Sequence, residues 1–197
     1  MIVVGITGGS GCGKSTVSEI FKNEGAQILD GDIISRKITE PGSDALKEIA
    51  QKFGDEFLSK TGELERRKLG ACVFADPKKL NLLNEITHKY IAKYIDNYIE
   101  HSTAPICVID AAALIESGIY KKCDYLICVI ADKKTRIKRI MQRDGIDKED
   151  AIKRISAQKN DDFYIEKSDY VLYNNDEQIS GLRSEVNKII DSIRSKF

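Results

Sequence analysis

The chain has 197 residues, 42% hydrophobic and 31% charged, which is enough for one domain with a substantial core and too apolar for a disordered state. Its 31 Lys and Arg cancel its 31 Asp and Glu, so it lacks the cationic surplus by which a sequence-independent nucleic-acid binder neutralises phosphates. No run approaches the roughly 20 apolar residues of a membrane span, the first residues carry no basic signal-peptide region, and five cysteines without a C-x-x-C pair suit a reduced, cytoplasmic setting.

Ile2 to Ile6 is a continuous apolar run ending in glycines, the pattern of a strand buried on both faces of a parallel sheet. Lys14 to Asn23 follows with Val17, Ile20 and Phe21 at helical spacing and Gly25 as a stop. Ala26 to Leu29 predicts a second strand opening onto Asp30-Gly31-Asp32. Strand, glycine loop, helix, strand is the opening of an α/β fold with crossover connections. Some seventy mostly helical residues come next, including the N-cap pair Asp76-Pro77 and apolar positions from Ile86 to Ile99. So much helix exceeds one crossover and predicts an inserted subdomain. Further strands are expected at Ile106 to Ile109, Tyr125 to Ile130 and Tyr170 to Tyr173. A second helical insertion, Thr135 to Lys159, is rich in Lys and Arg, and an amphipathic helix from Gln178 to Ile193 closes the chain. The tyrosine stripe Tyr90, Tyr94 and Tyr98 is read as packing between core and water.

Gly8-Gly9-Ser10-Gly11-Cys12-Gly13-Lys14-Ser15 fits G-x-x-x-x-G-K-[ST] at every fixed position, between a buried strand and a helix. Glycines let successive backbone N–H groups turn inward around an anion, and the helix N-terminus adds its free donors and dipole. Gly9, Ser10, Gly11, Cys12 and Gly13 are the expected cradle. Lys14 supplies charge to the β and γ phosphates, Ser15 offers a hydroxyl to Mg²⁺, and Thr16 reaches toward the α-phosphate. Asp110, closing the third strand, is a candidate to meet Mg²⁺ through water. The guanine-reading N-K-x-D and the D-x-x-G of GTPase switches are absent.

A phosphotransferase also needs an acceptor in line with the γ-phosphate, a group to take the hydroxyl proton, and cations over the transferring charge. Asp32 is the candidate base, with Asp30 beside it, because the carboxyl ends of parallel strands face the ligand. Arg36 lies four residues on, able to share a helix face with Asp32. Among Arg136, Arg139, Arg143 and Arg154, the pair Arg139 and Arg143 is spaced to face the same phosphates, as a closing lid requires. A kinase for a nucleoside or nucleotide, and a module that binds ATP without transferring phosphate, share most of these features.

Gly5 to Val17, Asp30 to Arg36, Pro41-Gly42, Phe53-Gly54, Gly62 to Arg66, Leu69, Val73-Phe74, His88, Leu114, Glu116, Arg139 to Arg143, Gln158 and Ser168 to Val171 with Asn174 together resemble the dephospho-CoA kinase family. The resemblance implies a P-loop NTPase-type three-layer α/β/α fold with a five-stranded parallel sheet. It implies a nucleotide core at 1–31, 104–132 and 165–197, a helical acceptor-binding insertion at 32–103, and a helical lid at 133–164. The implied reaction is Mg²⁺-dependent transfer of the γ-phosphoryl of ATP to the ribose 3′-hydroxyl of dephospho-CoA, by a monomer or weak homo-oligomer. In that reading Asp32 is the base, Arg36, Arg66 and His88 shape the acceptor site, Lys14 and Arg139 are catalytic, and Arg139 and Arg143 belong to the lid. Asp30 supports the loop. Three positions depart from the family pattern: Gly31 stands for alanine, Lys89 for proline, and Ala112-Ala113 for Pro-Leu.

Overall fold

A computed structural model describes residues 1–175 and 179–196. In chain order the elements are β1 (Ile2–Thr7), α1 (Lys14–Asn23), β2 (Gln27–Asp30), α2 (Gly31–Lys37) and α3 (Asp44–Phe53). Next come α4 (Arg66–Phe74), α5 (Pro77–His101), β3 (Ile106–Asp110) and β4 (Tyr125–Ile130). The chain continues through α6 (Lys133–Asp144), α7 (Lys148–Ser156), α8 (Asp161–Ile165), β5 (Tyr170–Tyr173) and α9 (Ile179–Arg194). Gln178, where the sequence predicts the last helix to begin, lies outside the described residues.

The five strands form one parallel sheet in the order β2-β3-β1-β4-β5. Ile2 pairs with Ile106, Thr7 with Cys128, and Ile127 with Tyr170. Every β1 residue is buried, as a central parallel strand covered on both faces must be. On one face Val4, Ile6, Val108, Ile127 and Val129 pack against Val17, Ile20 and Phe21 of α1 and Leu182, Val186 and Ile190 of α9. Each such fully buried side chain contributes about 1.5–3 kcal/mol over its exposed state. Toward the other face Gly5 turns to Leu114, Cys123 and Leu126, where an added Cβ would collide with all three. That is the three-layer α/β/α arrangement.

The chain divides into two compact units, 1–29 with 103–197, and 30–102. The second is helical and has its own core of Ile49, Phe57, Leu69, Val73 and Ile86. Its longest helix, α5, starts as expected: Asp76 caps Lys78 N–H at 2.9 Å and Pro77 occupies the first turn. Lys89 does not interrupt it. The helix runs unbroken past that position, and Lys89 and the Tyr90 hydroxyl both donate to Glu48 of α3, the latter at 2.8 Å. Tyr94 accepts from Lys37 of α2, so the stripe ties neighbouring helices together.

Candidate phosphate site

The loop between β1 and α1 begins on buried backbone and ends at Gly13, whose φ of +93° is open to glycine and strained for an L side chain. A Cβ there would also strike the Asn174 carboxamide. Lys14 donates to the Gly8 carbonyl at 2.8 Å and to that of Gly9 at 3.4 Å, so its ammonium sits over the loop. Burial pulls Lys14 below the ordinary lysine range, and the Asp110 carboxylate opposes that shift while Arg143 and Arg136 add to it. Ser15 is exposed and Thr16 half-buried at the start of α1. Cys12 is fully buried beneath the loop, and burial raises its thiol above the ordinary range, so it packs as a small apolar group.

Asp110 is engaged from α1. Ser18, one turn into α1, donates to Asp110 Oδ2 at 2.6 Å. Its i, i+4 spacing from Lys14 was the available signal, and helical position alone does not announce a partner 92 residues away.

The loop is held from behind by side chains that follow β4 and β5. Asn174, buried at the end of β5, donates from Nδ2 to the Cys12 carbonyl at 2.8 Å. Arg139 Nη1 reaches the carbonyls of Asn174 at 3.0 Å, Gly11 at 3.4 Å and Cys12 at 3.5 Å. Arg139 thus lies against the loop in a part-buried setting. Arg143, one turn along α6, forks onto the Asp144 carboxylate at 2.8 and 3.0 Å, and Arg154 joins the same carboxylate. The two arginines therefore differ in environment despite their spacing. Arg136 is the buried one of the four, at 6% exposure.

The remaining expected residues belong to the helical unit. Asp30 caps α2, its Oδ1 accepting from Asp32 N–H at 2.8 Å and Ile33 N–H at 3.0 Å. This fixes the backbone under Asp32 and leaves the Asp32 side chain exposed. No ion pair joins Asp32 to Arg36 among the described residues. Arg66, at the start of α4, donates to the Thr39 hydroxyl and to the Arg36 carbonyl at 3.5 Å. Burial, then the Arg36 charge, lowers Arg66 from the usual arginine value, so two guanidinium groups share one region. Such a pair suits an anionic ligand. His88 lies half-buried on α5.

Among the described residues no group of three or more His, Cys, Asp and Glu side chains gathers to form a metal cage. No helix among them is long and apolar enough to cross a membrane.

Comparison with known proteins identifies the family. The family model described as CoaE, dephospho-CoA kinase, matches residues 2–180. A dephospho-CoA kinase of Corynebacterium glutamicum is 37% identical over 199 residues, spanning 100% of this chain and 99% of its own. The dephospho-CoA kinase structure from Campylobacter jejuni superposes with a TM-score of 0.71 at 27% identity, covering 99% of this chain and 98% of that one. A crystal structure from Thermus thermophilus superposes with a TM-score of 0.82 at 26% identity, covering 100% and 97%. A phosphate loop on a β2-β3-β1-β4-β5 sheet, and relatedness running the length of the chain, place it in the dephospho-CoA kinase family.

Proposed function

We propose that the protein transfers the γ-phosphoryl group of ATP to the 3′-hydroxyl of the ribose of dephospho-CoA, forming coenzyme A. The observation that carries this reading is the phosphate loop, with Lys14 drawn over it, in a chain related to dephospho-CoA kinases over residues 2–180. Loop amides, the α1 N-terminus and Lys14 hold the triphosphate and stabilise charge on the moving phosphoryl group. Arg139 adds charge from the lid segment 133–164, and Arg143 joins it when its fork to Asp144 is exchanged for phosphate. Asp32 orients the acceptor hydroxyl and takes its proton, while Arg36, Arg66 and His88 of the 32–103 insertion bind the acceptor.

Mg²⁺ would be held by the Ser15 hydroxyl, with Asp110 as a further partner through water. The exposed Ser15 hydroxyl at the start of α1 and the Asp110 carboxylate closing β3 are hard oxygen donors of the kind such an ion takes. When bound, the ion neutralises charge between the β and γ phosphates. Five free cysteines favour a reduced, cytoplasmic setting, and the enzyme works as a monomer or weak homo-oligomer. Incubation with ATP, Mg²⁺ and a panel of acceptors tests the reading. Phosphorylation of dephospho-CoA is expected; turnover of a nucleoside with none of dephospho-CoA overturns it.

A further inference from the structure

Ser10, at the outer bend of the phosphate loop, has all three of its polar groups engaged by two side chains from the segment after β4. Its N–H donates to Gln158 Oε1 at 2.9 Å. Its carbonyl accepts from Arg136 Nε at 2.9 Å, and its hydroxyl accepts from Gln158 Nε2 at 3.1 Å. The two side chains are joined to each other, Arg136 Nη2 donating to Gln158 Oε1 at 3.0 Å. Asp161 completes the set, taking Arg136 Nη1 at 3.3 Å. The fit is close: a Cβ on Gly9 would collide with the Arg136 guanidinium, and one on Gly11 with the Arg136 backbone.

We propose that Arg136, acting with Gln158, is a positioning residue for phosphoryl transfer that braces Ser10 and thereby fixes the loop around the triphosphate. The proposal rests on the reading that this loop holds ATP. Arg136 sits behind the loop and does its work through Ser10. A glycine-rich loop has many conformations, and donors aimed in advance at a phosphate carry no reorganisation cost when charge moves. Three directional bonds on one residue supply that preorganisation. A guanidinium is suited to the task because its planar fork meets Ser10, Gln158 and Asp161 at once, and Asp161 compensates its buried charge. The brace originates in residues 136, 158 and 161, so a displacement of α6–α8 is felt directly at Ser10.

Both side chains line a cleft of about 570 Å³, so water can enter where a side chain is truncated. Arg136→Ala is expected to lower both the turnover number and the affinity for a non-hydrolysable ATP analogue about tenfold or more. The KM for dephospho-CoA stays within about twofold. Arg136→Lys, which can keep the Asp161 pair, recovers part of the loss. Arg136→Ala combined with Gln158→Ala costs less than the sum of the two, as partners in one network do. A purely structural role would lower the melting temperature and leave turnover per folded molecule unchanged; that result overturns the proposal. Should Arg136→Ala not fold, Gln158→Ala decides, and wild-type turnover with wild-type analogue affinity refutes the brace. Failure of the unaltered protein to phosphorylate dephospho-CoA overturns the proposed function instead, and the analogue affinity of the variants still settles the brace.

Discussion

Asn174 and Cys12 are separated by 162 residues in the chain, yet the Asn174 carboxamide donates to the Cys12 carbonyl at 2.8 Å in a buried position. This bond ties the phosphate loop to the end of β5, and the same carboxamide sits where a side chain on Gly13 would stand. Asn174→Ala leaves a buried carbonyl without that donor and removes a partner of Arg139. A loss of about 1–3 kcal/mol in unfolding free energy is expected in urea titration, with weaker binding of an ATP analogue. Unchanged stability and affinity would show that the bond does not hold the loop.

Lys14 gives a pH signature. Burial holds its ammonium below the ordinary lysine range in the free protein, and Asp110 partly offsets this. The unfolded chain therefore binds more protons over that window, so stability rises with pH there. Bound phosphates favour the charged amine, so nucleotide binding takes up protons in the alkaline range. Calorimetry at alkaline pH in buffers of different ionisation enthalpy should record proton uptake that disappears in Lys14→Met. Proton release, or uptake that persists in the variant, contradicts the placement of Lys14.

Thr7, the last residue of β1, is fully buried, and its hydroxyl has no hydrogen-bond partner among the described residues. An unsatisfied buried hydroxyl costs about 1–3 kcal/mol, and valine has nearly the same shape. Thr7→Val is expected to raise the melting temperature by about 2–4 °C per kcal/mol recovered. A lower melting temperature would mean that the hydroxyl is satisfied.

The thiols should react in a fixed order. Burial pushes Cys107 up to about 11 and Cys123 and Cys128 up to about 12, and it also raises Cys12. At pH 8 a thiol of pKa 12 is ionised in only about one molecule in 10⁴. Cys72, half-buried on α4, is expected to take iodoacetamide first, with the other four protected until denaturant is added. Early labelling of Cys128, read by peptide mass spectrometry, would contradict the packing of the sheet.

The strands were legible because buried parallel strands are continuous apolar runs: Tyr125–Ile130 and Tyr170–Tyr173 are bounded in the structure where the sequence places them. The start of α5 was legible because Asp76 and Pro77 act locally. The bracing of the loop was not. Arg136 looks like one of four arginines in a charged segment, and its bonds run to a residue 126 positions away. The contacts of Ser18 and Gln158 are not announced by their places in the chain, since each meets a partner that the fold brings near. Lys89, where the family pattern has proline, lies inside an unbroken helix and is tied to Glu48, because lysine supplies the N–H that proline lacks.

The most direct measurement is turnover of ATP and dephospho-CoA by the unaltered protein and by Asp32→Asn, with ATP-analogue affinity measured alongside. Coenzyme A formation by the unaltered protein is expected. Asp32→Asn is expected to lose about 10²–10⁴-fold in turnover, with analogue affinity kept within a few-fold. Wild-type turnover in Asp32→Asn, or no phosphorylation of dephospho-CoA by the unaltered protein, contradicts the proposed function.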